Sequence, residues 1–309
     1  MKINNLLKRF RNKSSDSLTI FLSINPKNIG GGSNTFSHNF INWVRRNKSN
    51  YKIGRKINKS EIAIVIAGKL SLDDLKLAKS NNIFIIHRLD EYVEDNEDEY
   101  RKKKHEKIKY INKFADVTVY QSNYVYENMH PYLGHPEKYA VIHNGGNPDE
   151  FYPSDNLGEY VGHVTWGVGQ KKRLDILYEI IKNYHDQKFL LVGRHLESEY
   201  NFSALPNVKC VGRVKRKNLL QYLHQMKFLF FPSERDPCPN TVIEAMLAGL
   251  PICYNKIGGT IELVKDCGVP LNDFGKLNNN LSTFRQKTLA RSDLDFNLVA
   301  EKYLALHIN

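Results

Sequence analysis

Short apolar runs alternate with helical patterns along the first half of the chain, and this alternation predicts its secondary structure. Runs rich in Ile, Val and Leu predict strands at residues 18–24, 62–67, 83–87, 117–121 and 140–143. The segments between them predict helices at residues 35–46, 72–80, 100–114 and 123–129. Strands separated by helices are typical of βαβ units, so we expect a parallel sheet.

The second half repeats this alternation after a break. Its predicted strands are residues 160–165, 189–192, 208–211, 228–231 and 252–254. Its predicted helices are residues 174–183, 217–225, 241–248 and 260–265. Between the halves, residues 144–158 concentrate Gly, Pro, Asn and Asp, which is typical of a linker.

The sequence therefore predicts an α/β fold with two Rossmann-like, doubly wound domains that face each other across a cleft. We expect the first domain at residues 1–155 and the second at 156–290. Residues 291–309 form a weakly amphipathic segment, predicted to be a helix that packs back across the junction onto the first domain.

Composition narrows the class of protein. Hydrophobic residues make up 41% of the chain and charged residues 25%, as in an ordinary globular protein. No apolar run approaches the ~18 residues needed to span a bilayer, and the basic N-terminus has no apolar core of signal-peptide length. The four cysteines lack CxxC spacing and are predicted to be reduced thiols, so we expect a cytoplasmic protein.

Positive charge permits an anionic partner. Lys and Arg number 45 against 33 Asp and Glu, which gives a net charge of +12. Such a field attracts nucleotides, nucleic acid or anionic membranes, so peripheral contact with the inner membrane face is compatible with it. A Lys-rich, merely solvated surface explains the same number.

A glycine loop follows the first predicted strand. Gly30, Gly31 and Gly32 precede a predicted helix, where the backbone can approach a ligand closely and the helix N-terminus favours an anion. The spacing is not GxGxxG and no acidic residue follows the second strand, which argues against a nicotinamide cofactor. A flexible strand-to-helix turn is the alternative interpretation.

Two further stretches place polar residues at strand ends or helix starts. His87 and Asp90 are expected just past the strand at 83–87, at the cleft, although a lone His is often a structural residue. Lys171, Lys172 and Arg173 begin the helix predicted near residue 174, where they would neutralise a diphosphate or belong to a solvated surface.

Residues 231–262 carry the most specific pattern. After the strand at 228–231 comes a loop with Glu234 and Asp236, and then a helix that carries Glu244. In open α/β sheets ligands bind outside the carboxyl ends of the strands, and carboxylates there can accept hydrogen bonds from several hydroxyl groups.

These motifs closely resemble the donor domain of GT-B glycosyltransferases of the retaining family 4. The family pattern is a strand and PS, an acid, seven residues, a Glu and A-x-A-x-G-x-P, followed by GG-x-x-E. This chain has PSERDPCPNTVIEAMLAGLP and then GGTIEL, ending in Glu262. The segments VGRV, VYQSNYVYENM and VIHNGGNPDEFYP agree with it, and the resemblance covers about residues 115–270.

The resemblance implies a site for a nucleotide sugar. Glu244 would bind the ribose hydroxyls, Asp236 the sugar hydroxyls, and Lys172 the diphosphate. The segment after Asp236 would assist with backbone amides; its residues are Cys238, Pro239, Asn240 and Thr241.

The first domain would complete this site. Gly31 and Gly32 would approach the diphosphate from the opposite side, while His87 and Asp90 would lie near the transferred sugar and the acceptor.

Two departures from the family pattern leave alternatives open. The first acid is normally Glu, whereas here it is Asp236, and Glu234 could reach the same site. The family's usual basic pair includes an Arg that is absent from GHVTW, so Arg173 or Arg213 would have to replace it.

The resemblance implies a retaining, metal-independent hexosyltransferase that needs no cofactor besides a UDP-, GDP-, ADP- or dTDP-sugar as its substrate. The acceptor, which could be a glycan, lipid-linked sugar, protein, metabolite or DNA, is not read from the sequence. A GT-B epimerase or phosphorylase, or a non-catalytic protein that binds polyanions, are the alternatives.

Overall fold

Two parallel sheets organise the chain in the computed structural model, which describes residues 17–26, 31–47, 49–94 and 97–308. Each sheet has six strands within these residues, and the paired strands are parallel. The predicted α/β class with two doubly wound parallel sheets is confirmed.

The first sheet has the strand order β2-β1-β3-β4-β5-β6. Its strands are β1 (Leu18–Leu22), β2 (Tyr51–Ile53), β3 (Ile62–Ile66), β4 (Phe84–Leu89), β5 (Val117–Tyr120) and β6 (Tyr139–Val141). The helices between them are α1 (Gly32–Arg46), α2 (Leu72–Ser80), α3 (Glu99–Asn112) and α4 (Asn123–Leu133). Three of these helices begin where Ser71, Asp98 and Ser122 accept hydrogen bonds from free backbone amides of the first turn.

Alternate residues of β3 show why helices cover both faces of this sheet. All five residues of β3 are fully buried. Ile62, Ile64 and Ile66 pack in one cluster with residues of α1, whereas Ala63 and Val65 pack in another with residues of α2 and α3. Because successive side chains of a strand point to opposite faces, a strand apolar at every position needs both faces covered.

The second sheet has the order β12-β11-β10-β7-β8-β9. Its strands are β7 (Tyr160–Thr165), β8 (Phe189–Gly193), β9 (Val208–Gly212), β10 (Met226–Phe231), β11 (Ile252–Tyr254) and β12 (Gly268–Pro270). Its helices are α5 (Leu174–Asn183), α6 (Leu219–Leu223), α7 (Asn240–Leu247), α8 (Thr260–Val264), α9 (Phe274–Asn279) and α10 (Leu281–Leu289). A separate core forms on each face of this sheet.

Two edge strands escaped the sequence prediction. They are β2 and β12, and each has three residues. Neither strand is a continuous apolar run, because β2 reads Tyr-Lys-Ile and β12 reads Gly-Val-Pro.

The chain returns to the first sheet at its end, where α11 (Phe296–Ala305) packs against α1. The ring of Phe36 lies 5.6 Å from that of Phe296 and 5.1 Å from that of Tyr303. The linker passes so close to α11 that a Cβ on Gly145 would lie 2.9 Å from the backbone of Phe296. This close approach requires glycine at that position.

Several expectations concern features outside the two sheets. The basic N-terminal residues and Gly30 lie outside the described residues. No helix in the described part of the chain is both long and apolar enough to cross a bilayer. All four cysteines are free thiols, and three of them are buried.

Candidate active site

A cleft of about 650 Å³ lies between the carboxyl ends of the two sheets. Its N-terminal wall carries the polar residues Ser33, Thr35, Asp90, Glu91, Gln121 and Asn144. Its C-terminal wall carries the charged residues Lys172, Arg194, Arg213, Arg216, Asp236 and Glu244. This volume is in the range of pockets that enclose a ligand with several polar groups.

The loop after β10 brings Asp236 into the cleft and turns Glu234 away from it. Asp236 lines the cleft and pairs with Lys172 at 3.5 Å. Glu234 instead pairs with Arg173 at 3.0 Å and does not line the cleft. Of the two acids that the sequence left as alternatives, Asp236 is therefore the one that faces the ligand space.

Glycines of the GG-x-x-E segment pack directly on this loop. Gly258 has a φ of 123° and bridges to Asp236. A Cβ on Gly259 would lie 2.0 Å from the carbonyl oxygen of Pro237. The paired glycines thus allow the contact that holds Asp236 in place.

Glu244 lies in the first turns of α7, and its whole residue is only 4% exposed. Its main partner is Arg216, which also donates to Glu150 at 3.0 Å. Burial raises the pKa of Glu244, and the neighbouring guanidinium opposes that shift. Arg216 was not predicted as a site residue, although a buried carboxylate requires a partner of this kind.

Three consecutive basic residues point in three directions. Lys172 lines the cleft. Lys171 pairs with Glu94 of the N-terminal domain at 2.7 Å and donates to the hydroxyl of Tyr92 at 2.6 Å. Arg173 has a φ of 49° and is held by Asp175 at 2.8 Å, so neither Lys171 nor Arg173 lies in the predicted donor site. Lys171 and Lys172 lie in a short 3-10 turn at Gln170–Lys172, which ends at the left-handed Arg173.

Arg213 lines the cleft, as expected for a donor-binding residue, together with Arg194. Both guanidinium groups pair with Glu197 at 2.6 Å. These hydrogen bonds lower the pKa of Glu197 to about 2. Arg194 was not predicted, but a signal for it exists: the tripeptide Val-Gly-Arg occurs at the ends of both β8 and β9.

The segment after Asp236 leads into α7 along the cleft. Cys238, Pro239, Asn240 and Thr241 all line it, as predicted from the sequence. Cys238 is buried, and burial raises the pKa of its thiol to about 12. The thiol is therefore a hydrogen-bonding and packing group here, not a nucleophile.

Gly31 and Gly32 bring the start of α1 to the cleft. Gly31 has a φ of 79°, a conformation that favours glycine. A Cβ on Gly32 would lie 3.9 Å from the side-chain nitrogen of Asn240 on the opposite wall. The glycine loop and the segment after Asp236 are thus neighbours across the cleft.

Asp90 follows β4 and lines the N-terminal wall, as expected. Its carboxylate accepts hydrogen bonds from Ser33 at 2.5 Å and from Arg88 at 3.1 Å. Its side chain is 12% exposed, so it faces a restricted space.

The prediction that His87 lies at the cleft is wrong. Strand β4 continues to Leu89, so His87 lies within it and is fully buried. Its imidazole contacts the carbonyl oxygen of Ala67 at 3.0 Å and the side chain of Asn112 at 2.9 Å. Burial lowers its pKa to about 4, so it is a neutral core residue at physiological pH.

No group of three or more His, Cys, Asp or Glu side chains within residues 17–26, 31–47, 49–94 and 97–308 is arranged to hold a metal ion. The cations nearest to the ligand space are instead the basic side chains of the C-terminal wall.

The C-terminal part of the chain matches the model of a known protein family. Residues 159–283 match the model of the family described as "Glycosyl transferases group 1". The capsular polysaccharide biosynthesis glycosyltransferase CapH of Staphylococcus aureus is 24% identical over 214 residues. That match covers 63% of this chain and 60% of CapH, so the chain spans less than two thirds of this relative's length.

Solved structures share the fold along nearly the whole chain. Sucrose-phosphate synthase from Thermosynechococcus elongatus aligns with a TM-score of 0.76 at 13% identity, covering 95% of this chain and 98% of that one. Anabaena Alr3699/HepE in complex with UDP-glucose aligns with a TM-score of 0.72 at 14% identity, covering 95% and 99%. The GT-B fold and the resemblance to glycosyltransferases that the motifs predicted are confirmed.

Proposed function

We propose that this GT-B protein transfers a sugar from a nucleotide-sugar donor to a hydroxyl group of an acceptor. One observation carries the proposal: Lys172, Asp236 and Glu244 line one wall of a single cleft, and the glycine loop with Asp90 lines the wall opposite. A donor with a diphosphate and several hydroxyls needs cations and carboxylates within one enclosed space.

The C-terminal wall would bind the donor. Glu244 would accept hydrogen bonds from the ribose hydroxyls, because a carboxylate paired with Arg216 still has free lone pairs. Asp236 would accept from the hydroxyls of the sugar, assisted by the segment from Cys238 to Thr241. HepE was solved with UDP-glucose, which supports UDP as the first nucleotide to test.

Charge develops on the diphosphate as its bond to the sugar breaks. Lys172 would stabilise that charge, assisted by Arg194 and Arg213, while Gly31 and Gly32 would approach from the other wall. Preorganised cations in a water-poor cleft are an effective way to stabilise a leaving group. These cations offer the charge compensation that a metal supplies elsewhere, so we propose a reaction without a metal or another cofactor.

The N-terminal wall would bind the acceptor near Asp90. Its described polar residues are carboxylates, amides and hydroxyls, a chemistry that suits a hydroxyl-bearing acceptor. CapH acts in capsular polysaccharide biosynthesis, which supports a glycan acceptor. We further propose that the transferred group is a hexose and that the anomeric configuration is retained, as the family 4 resemblance implies.

A thermal-shift screen with UDP-, GDP-, ADP- and dTDP-glucose tests the donor assignment, because a ligand of the folded state raises its melting temperature. The nucleotide with the largest shift is then titrated into Glu244→Gln, which should bind it ~10-fold more weakly, equivalent to about 1.4 kcal/mol. Glu234→Gln is the matched control, since Glu234 lies in the same region but outside the cleft.

Equal affinity of Glu244→Gln and the unaltered protein would contradict the assigned donor site. Product analysis by NMR separates the reaction classes. Turnover of the sugar nucleotide to an epimer without acceptor, or cleavage that depends on inorganic phosphate, would contradict a transferase.

A further inference from the structure

A chain of buried and partly buried hydrogen bonds connects the two walls of the cleft. It starts at Asp90, passes through Arg88 and Asn144, and ends on Cys238 and Asn240. Arg88 and Asn144 belong to the N-terminal half. Cys238 and Asn240 belong to the segment after Asp236, residues 238–240, which we call the donor loop. The connection therefore joins the proposed acceptor side to the proposed donor side.

Arg88 is a fully buried cation near the end of β4. One of its terminal nitrogens donates to Asp90 at 3.1 Å, and the other donates to Asn144 at 2.8 Å. Its guanidinium lies 4.3 Å from the ring centre of Phe36. Burying a charge is costly, and an apolar residue of similar volume is often at least as stable, so stability alone does not account for Arg88.

The amide of Asn144 is oriented by its partners. Arg88 can only donate, so the side-chain oxygen of Asn144 must face it. The side-chain nitrogen then donates to the carbonyl of Cys238 at 3.2 Å and to the side-chain oxygen of Asn240 at 3.0 Å. The backbone N–H of Asn144 also donates to the sulfur of Cys238 at 3.2 Å.

An amide is the one side-chain group of this size that satisfies both ends at once. It accepts from the cation of the N-terminal domain and donates to two acceptors of the donor loop. A carboxylate at position 144 would keep the bond to Arg88 but has no proton to donate to the carbonyl oxygen of Cys238, and Asn240 would have to turn its amide to donate instead.

We propose that Asn144 is a positioning residue that, through Arg88, fixes Asp90 relative to the donor loop at residues 238–240. Asn144 lines the cleft, but the role proposed here is to set the separation of the two walls and not to bind either substrate. The inference rests on the proposed glycosyl transfer. A misplacement of about 1 Å between reacting groups can lower a rate by ~10²-fold, so such a connection has a measurable consequence.

Asn144→Asp tests the connection, with the sugar nucleotide of the largest thermal shift as donor. We expect kcat for transfer to fall ~10- to 100-fold. The Kd for UDP alone should change less than ~3-fold, because UDP lacks the sugar next to the loop, and the KM for the donor should follow the Kd. Arg88→Lys tests the same connection at Arg88. A single ammonium group cannot reproduce the two hydrogen bonds that the guanidinium donates to Asp90 and Asn144, so this variant should also lose kcat while its Kd for UDP stays nearly unchanged.

Asn112→Asp is the matched control. Asn112 is buried to a similar degree, but its hydrogen bonds to His87 and Thr118 remain inside the N-terminal domain. The Asn112→Asp variant should lose about as much stability as Asn144→Asp, but its kcat should stay within ~3-fold of that of the unaltered protein.

A double-mutant cycle distinguishes positioning from a general structural effect. In an Asp90→Asn background, Asn144→Asp should lower kcat by less than ~3-fold, because the group that it positions is already impaired. An equal loss in both backgrounds, or full transfer activity of both Asn144→Asp and Arg88→Lys, would overturn the proposal. If the unaltered protein turns over none of the four sugar nucleotides, the proposed function itself has failed, and the connection with it.

Discussion

The two walls of the cleft are opposite in charge. The C-terminal wall presents four described cations: Lys172, Arg194, Arg213 and Arg216. The N-terminal wall presents the carboxylates Asp90 and Glu91, and none of its described lining residues is Lys or Arg. The chain as a whole has an excess of positive charge, but at the cleft the described cations lie on the C-terminal wall.

The walls also differ in how their charges are held. Each cation of the C-terminal wall pairs with a carboxylate of the same domain, as Lys172 does with Asp236 and Arg213 with Glu197. Asp90 on the N-terminal wall is held from behind by Arg88, which is buried and does not line the cleft. A diphosphate would be attracted by the first wall and repelled by the second.

This difference separates two tasks. Under the proposed function, the cationic wall would bind the nucleotide and stabilise the leaving group, whereas the acidic wall would bind a hydroxyl-bearing acceptor. Under the proposed function, replacing a cation of the C-terminal wall should therefore change nucleotide binding and departure, and replacing a carboxylate of the N-terminal wall should change transfer alone.

The largest effect is expected from Lys172→Ala on the cationic wall. Loss of one preorganised group that stabilises developing charge lowers kcat ~10²- to 10³-fold in comparable cases. The measurement is nucleotide release from the donor at saturating acceptor. Lys171→Ala is the matched control, because that neighbour pairs with Glu94 away from the cleft, and it should retain activity within ~10-fold. Equal losses in the two variants would remove the assigned role of Lys172.

A smaller effect is expected from Asp90→Asn on the acidic wall. Asparagine keeps a hydrogen-bonding partner for Arg88 while removing the charge, so the fold should persist. We expect transfer to fall ~10- to 100-fold because the acceptor hydroxyl loses the carboxylate that would accept its hydrogen bond and orient it. The Kd for UDP, measured by calorimetry, should stay within ~2-fold. A larger change in UDP affinity would show that the two walls do not divide the work.

The fold was predictable because several of its strands are continuous apolar runs. Residues 62–66 and 189–192 are continuous runs of buried aliphatic or aromatic side chains, which is typical of parallel sheets covered on both faces. The edge strands β2 (Tyr-Lys-Ile) and β12 (Gly-Val-Pro) were missed because neither is a continuous apolar run.

The cleft-lining residues were predictable where they come directly after a strand. Asp90, Asp236 and the glycine loop all follow strands and all line the cleft. The orientation of Lys171, Lys172 and Arg173 was not predictable, because it depends on the left-handed conformation at Arg173 and on partners such as Glu94. Local sequence contains neither piece of information.

Arg88 and Asn144 were missed for a related reason. Arg88 is not conspicuous in the sequence, Asn144 belongs to a quoted motif without an assigned role, and their bond joins positions 56 residues apart. Only the fold brings the end of β4 next to the linker and the donor loop. Buried polar connections of this kind depend on tertiary structure, whereas hydrophobic periodicity can be recognised within a short stretch of sequence.

The smallest effect on transfer is expected from His87→Gln, which tests the boundary of the acidic wall. His87 and Arg88 are adjacent in β4, so their side chains point to opposite faces of the sheet. Because His87 contacts Ala67 and Asn112 in the core, its replacement should leave kcat per folded molecule within ~2-fold but cost about 1–3 kcal/mol of stability at pH 7. A tenfold loss of kcat at unchanged stability would place His87 in the wall after all.

Acid sensitivity provides a second readout for the same variant. The pKa of His87 is about 4 in the folded protein and ~6.5 when unfolded. The unfolded state therefore takes up a proton first as the pH falls, so the contribution of the neutral imidazole is complete above pH ~6.5 and is lost between pH ~6.5 and ~4. The free energy of unfolding can be measured with urea at pH 7 and at pH 5. From pH 7 to pH 5 it should fall by about 2 kcal/mol more for the unaltered protein than for His87→Gln. Identical acid sensitivity of the two proteins would contradict the assignment of His87 as a neutral core residue.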